Sequence, residues 1–110
     1  MRIVRLDAVA GRPITDHDSR GFTIAPVAHG GDVRVAVARL SPGGVIGSHP
    51  ASGSQLLLVI EGHAIVVGGA GEAEALQPGH GALWASGEMH QTGTDEGLLA
   101  LVIEGDFEVE

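Results

Sequence analysis

Glycine breaks this chain into pieces too short for helices. Eighteen of the 110 residues are glycine, and many gather with Pro, Ser or Asp at 30–32 (GGD), 41–44 (SPGG), 68–71 (GGAG) and 78–79 (PG). No G-x-y period runs through them, so they mark tight turns rather than a collagen-like repeat. Between them lie runs rich in Val, Ile, Leu and Ala, most of them four to nine residues long. The best helical window, GEAEALQPG at 71–79, meets Pro78 before it completes two turns and is short for independent helicity. Short apolar runs between turn residues read as strands, and many of them without helices imply an all-β barrel or two-sheet sandwich.

The expected strands follow from that punctuation. Residues 2–9 form a first strand, closed by Gly11 and Pro13, and 22–28 a second, demoted to an edge or bulged strand by Pro26. Residues 33–40 form a third, with 33, 35 and 37 on one face and Arg34 and Arg39 turned outward. Ser-Pro-Gly-Gly at 41–44 is expected to turn the chain. Residues 55–61 and 63–69 are expected to pair as a hairpin about Gly62. Strands at 73–76, 80–85, 90–94 and 98–105 follow, and 106–109 could extend the sheet. A chain of 110 residues suits one domain, spanning 1–110, and is too short for two good cores.

Charge narrows the partners. Fourteen acids against six arginines and no lysine give a net charge of −8. Such a surface repels phosphate backbones, and no basic stripe interleaves with aromatics, so nucleic acid is not an expected partner. The N-terminal MRIVRLDAVAGRP carries an Asp and a Gly-Arg-Pro break, and no apolar run reaches membrane-spanning length. The expectation is a cytoplasmic protein without a membrane partner. With no cysteine, disulfides, thiolate metal sites and cysteine nucleophiles are excluded. GGAG lacks the Lys of a phosphate loop, and no G-x-S-x-G elbow is present.

The polar residues that remain gather in two places. His49 follows the turn at 41–44, and the SGS at 52–54 can fold the chain so that Gln55 comes level with it from a neighbouring strand. His90 opens a later strand in GEMHQTG, with Glu88 two residues before it. Two imidazole nitrogens and an amide oxygen could hold a divalent Mn, Fe, Ni or Zn ion, with water completing its sphere. The alternative is that each His is a polar rim residue satisfied by backbone or water. Glu88 is either a proton-transfer carboxylate or replacement ligand near a cavity mouth, or a solvated turn residue. His63 and His80 flank turns, and His17 and His29 read as surface residues. Trp84 reads as core, interface or cavity wall.

The spacing of these residues resembles the two motifs of the cupin superfamily. The first, G-x5-H-x-H-x3,4-E-x6-G, is matched over 43–62 by Gly43, His49, Gln55 and Gly62; the second, G-x5-P-x-G-x2-H-x3-N, over 79–94 by Gly79, Gly87, His90 and Thr94. The resemblance implies a small single-domain cupin, an antiparallel double-stranded β-helix or jelly roll, with a small-molecule ligand in the barrel cavity. In metal-binding cupins three His and one Glu hold the ion. Here Ala51 stands at the second His position, Gln55 at the Glu, Ala85 at the Pro and Thr94 at the Asn. Direct carry-over therefore leaves His49, Gln55 and His90 as metal ligands, with Glu88 as a catalytic helper.

What the resemblance implies about function is a metal-assisted enzyme acting on a small oxygenated substrate. A metal-free binding module or a structural dimerisation scaffold are the alternatives, and the fold chooses none of the reactions cupins catalyse. The family also implies a homodimer formed by exchanging or adding N-terminal strands, for which 2–9 would serve.

Overall fold

The computed structural model describes every residue except Val9. Its strands are β1 (Arg12–Pro13), β2 (Arg20–Gly30), β3 (Val33–Pro50), β4 (Ser54–Gly62), β5 (Ala64–Val67), β6 (Ala73–Leu76), β7 (Gly81–Trp84), β8 (Met89–Gly93) and β9 (Leu98–Gly105). The only helical turns among the described residues are short 3-10 turns at Leu6–Ala8 and Asp16–Asp18. No helix there is long and apolar enough to cross a membrane. Every strand pairing is antiparallel. The order β6-β5-β8-β3-β9-β4-β7, with β2 on β3 and β1 on β2, curls the sheet into the nearly closed barrel of the double-stranded β-helix.

One long strand closes it. The first half of β3 pairs with β9 through Val33–Leu40, and its second half pairs with β8 through Val45–Pro50. The Ser-Pro-Gly-Gly segment therefore does not reverse the chain as expected. It bends a continuous strand from one wall of the barrel to the other. Gly43 sits there at φ +77, where only glycine is unstrained. Its amide reaches the carbonyls of Thr94 and Asp95, so the bend is held by the turn after β8. Gly62 differs from expectation in the same way. It turns the chain between walls, because β4 pairs with β7 and β9, whereas β5 pairs with β6 and β8. A side chain at Gly62 would collide with the Gly97 carbonyl.

The interior takes one phase of each strand. Val59, Ala100 and Ala38 lie side by side across β4, β9 and β3, and Leu57 faces Val102 in the next row. These residues join Leu40, Leu98, Phe22 and Trp84 in one core. Burying Leu57 fully stabilises the fold by roughly 1.5–3 kcal/mol. The phase read from the sequence for 33, 35 and 37 is the outer one. There Val37 is buried against its direct opposite, Ala25.

The two chain ends differ from expectation. Residues 2–8 form no strand: Arg5 pairs with Asp7 at 2.5 Å, Leu6–Ala8 make a 3-10 turn, and Arg39 donates to the Leu6 carbonyl at 2.8 Å. Val9, the last residue of the expected strand, lies outside the described residues. The sheet ends at Gly105, so 106–109 do not extend it.

Candidate functional site

The bend in β3 delivers His49 to the barrel mouth, directly opposite His90 of β8. Residues opposite one another on paired strands share a face, and the two rings meet with centroids 4.3 Å apart and planes at 54°. His49 Nδ1 lies 2.7 Å from the Gly47 carbonyl, and His90 Nδ1 lies 3.1 Å from that of Glu88. A carbonyl oxygen only accepts, so each Nδ1 carries a proton, and in the neutral ring Nε2 is left with a bare lone pair.

His90 is the buried member, only 2% exposed. Trp84 stacks on its ring at 4.4 Å, and its Nε2 has no protein partner. Burial pushes the His90 pKa below the usual imidazole value; the Glu88 carbonyl opposes the shift and the neighbouring His49 adds to it. The ring is therefore neutral near pH 7. An unpartnered polar atom so deeply buried is rare, since leaving it unmatched costs about 1–3 kcal/mol.

Gln55, also buried, borders the same cavity as His49, a space of about 240 Å³. It does not reach His49 from a neighbouring strand, as the turn at 52–54 suggested. β4 lies beside β7 and β9, so Gln55 faces His49 across the barrel. Ala51, at the position of the missing histidine, is 4% exposed and packs in the interior core with Trp84.

Two residues of this cavity escape sequence reasoning. His17, expected on the surface, stacks on His49 with centroids 5.0 Å apart and planes at 17°. It sits in the Asp16–Asp18 turn, where His17 and Asp18 both adopt positive φ, at 59° and 60°. That turn is clamped onto β3: the Gly47 amide donates to Ser19 Oγ at 2.9 Å, and a Cβ on Gly47 would collide with the His17 carbonyl. The second is Glu104, directly opposite Gln55 on β9. Its Oε1 accepts from Arg34 at 2.6 Å, and its side chain is 26% exposed. A signal for Glu104 existed, because Leu98, Ala100, Val102 and Glu104 alternate on one face. His17 left none, because its contact with His49 exists only once the barrel has closed.

The Glu88 carboxylate does not stand at this mouth. Its oxygens accept from the amides of Gly69 at 2.9 Å and Ala85 at 3.0 Å, and those bonds hold its pKa below the usual carboxylate range. It borders a separate cavity with Glu72 and Glu74. What Glu88 gives the histidine pair is its main-chain carbonyl, which orients His90. His63 borders a surface pocket with Asp95 and Glu96, and His80 accepts from the Gln77 amide. Thr94, at the family's Asn position, donates to the His63 carbonyl and accepts from Gly97. Arg39 points outward as expected. Arg34 shares the inward phase but lies at the exposed rim, where Glu104 is its partner.

Chemically, an imidazole whose Nδ1–H is held by a carbonyl can use its Nε2 to accept a hydrogen bond, take a proton from a bound ligand or ligate a cation. The donor set for a cation is thin. Among the described residues no group of three or more His, Cys, Asp or Glu is arranged to hold a metal ion.

No protein-family profile and no curated protein matches the sequence. Solved structures match it over nearly its whole length. An RmlC-like cupin from Shewanella frigidimarina aligns with TM-score 0.82 at 14% identity, over 98% of this chain and 93% of its own. The polyketide cyclase RemF from Streptomyces resistomycificus aligns with TM-score 0.81 at 21% identity, over 100% and 88%. An uncharacterised protein with a double-stranded β-helix domain from Klebsiella pneumoniae aligns with TM-score 0.76 at 25% identity, over 96% and 90%.

Proposed function

We propose that this chain, a small cupin by its strand order and its structural likeness, is a small-molecule-binding cupin. Its site is the cavity bordered by His49 and Gln55, with His90 packed against His49, and its ligand is a small oxygenated organic molecule. The observation that carries this reading is the unpartnered Nε2 of His90, buried beside His49. A buried lone pair of that kind is stabilised once a ligand hydroxyl or other donor reaches it. Ile14, Phe22, Ile24, Ile46 and Val102 supply the apolar wall that such pockets combine with a few polar groups.

A metal-assisted enzyme is the second reading, favoured by the same two tautomers. Metal-binding histidines typically donate their other nitrogen to a carbonyl or carboxylate, as His49 and His90 do here. Cupins include metal-binding members. The residues present nevertheless do not fit a tightly held catalytic ion. Such sites take three protein ligands, and here Ala51 contributes none while Gln55 offers a neutral amide. Mn, Fe, Ni or Zn would find two imidazoles and a neutral amide at the motif positions, and no carboxylate is arranged with both imidazoles to hold an ion among the described residues.

The test is a nuclear magnetic resonance titration with glycerol, pyruvate and glycolate as probes, on the protein and on His90→Phe. Phenylalanine keeps an aromatic ring against Trp84 and removes the nitrogens. Shifts should centre on His49, Gln55 and His90 for at least one probe, and binding should weaken at least about ten-fold in His90→Phe, the scale of one lost hydrogen bond. Shifts confined to other surfaces, or unchanged binding in the variant, would overturn the proposal.

A further inference from the structure

The polar groups of the cavity are unbalanced. His49, which borders it, spends its Nδ1–H on the Gly47 carbonyl and leaves Nε2 as an acceptor, while His90 lies buried against the His49 ring with its own Nε2 unpartnered. Glu104 adds a carboxylate whose Oε1 is taken by Arg34, while among the described residues no donor reaches its Oε2. Asp16 adds a second carboxylate at the mouth. Against these, the residues bordering the cavity include no Arg, and the chain has no Lys. Arg34 lies on the far side of Glu104, in a surface groove with Asp32 and Asp106. The amide of Gln55, the Ser19 hydroxyl and the exposed ring of His17 are the side chains left to donate.

Glu104 stands where it can tip this balance. Gln55 is neutral where the family motif has a carboxylate, and Glu104 is its directly opposite neighbour on β9. Opposite Cα atoms on antiparallel strands lie about 4.5–5.5 Å apart, so two such side chains reach the same space. The carboxylate absent from β4 is therefore supplied from the adjacent strand, braced from behind by Arg34 at 2.6 Å. In a partly enclosed cavity a negative charge acts through low-dielectric walls and is felt more strongly than on an open surface.

We propose that the cavity selects ligands that donate hydrogen bonds, hydroxyl or ammonium groups, and excludes carboxylates, with Glu104 as the residue that sets this preference. The inference rests on the assignment of His49, Gln55 and His90 as a ligand site and adds the chemical class of what binds there. A vicinal diol or an amino alcohol matches the pattern: one group for the His49 Nε2, the other for the free oxygen of Glu104.

Three two-carbon probes of nearly equal size test it: ethanolamine, ethylene glycol and glycolate, titrated at neutral pH and followed by the ring nitrogens of His49 and His90. On the unaltered protein ethanolamine should bind most tightly, ethylene glycol more weakly, and glycolate at least ten times more weakly than ethanolamine. In Glu104→Gln the ethanolamine advantage should fall about ten-fold, to the level of ethylene glycol, and glycolate should gain. Arg34→Gln removes the same ion pair but keeps the carboxylate, so the preference for ethanolamine should survive there. Glycolate binding as tightly as ethanolamine, or a Glu104→Gln variant that keeps the full preference, overturns the role of Glu104 and leaves the site assignment standing. If no probe reaches His49 or His90 in any variant, the site assignment fails and the inference fails with it.

Discussion

Ala51→His should create a tight cation site where the unaltered chain sets His49 against His90 but, among the described residues, groups no three side chains to hold an ion. Ala51 is buried in the same core as Trp84, which stacks on His90, and it occupies the position of the histidine that the cupin motif would place there. A third imidazole would bring the nitrogen donors to the number that catalytic zinc sites use. The affinity for Zn or Ni should rise by roughly 100-fold over the unaltered protein, a scale that changes outside the ligand sphere can already reach. Calorimetric titration reads the gain directly. The larger side chain strains a filled core, so the metal-free variant should melt at a lower temperature, and added Zn should restore stability by mass action. Unchanged affinity in a folded variant would mean that residue 51 does not face the histidine pair.

Trp84→Ala should be among the most destabilising single changes in the chain. The indole is 3% exposed, packs in the core and stacks on His90 at 4.4 Å. Removing a buried Trp costs about 3–5 kcal/mol, a large part of the roughly 5–15 kcal/mol that holds a typical domain together. Trp84→Phe keeps an aromatic face and should lose less than half as much. Urea unfolding of the two variants measures the difference. A loss below about 1 kcal/mol for Trp84→Ala would show that the ring is not part of the core.

Much of the barrel was legible because its strands are short and bounded by glycine and proline. Residues 73–76 and 98–105 lie where the punctuation placed them. The motif spacing brought out His49, Gln55 and His90, since residues at fixed offsets on strands of one barrel keep fixed positions around its mouth. What could not be read was which strand pairs with which. Ser41–Gly44 and Gly62 carry the signals of a chain reversal, but those signals report only local backbone freedom. Whether such a residue closes a hairpin or carries the chain to another wall depends on partners tens of residues away. Residues 2–8 alternate well enough for a strand and form none, because Arg5 finds its partner in Asp7 and Arg39 holds the Leu6 carbonyl.

The site was legible to the same degree. Glu88 has the right offset from His90, yet its carboxylate is drawn away by two amides whose positions depend on the fold. His17 enters only because Gly47 lets the 16–18 turn pack closely on β3. That turn holds two residues at positive φ, a strain of about 1–3 kcal/mol per residue. Both residues are of the types that tolerate this region best.

The central claim is that His49 and His90 both hold Nδ1–H against main-chain carbonyls, and that His90 is a neutral imidazole with a bare Nε2. A nitrogen-15 spectrum of the histidine rings, recorded from neutral to acid pH, reads it directly. Both rings should carry a proton on Nδ1; His90 should be the neutral Nδ1–H tautomer at pH 7 and take its second proton only below the usual imidazole range, because burial disfavours the charged ring. As pH falls through about 6.5 the unfolded chain binds that proton first, so stability should decline from there down to the folded pKa and then level off. A His90 that carries its proton on Nε2, or that titrates at or above the ordinary imidazole value, would contradict the account.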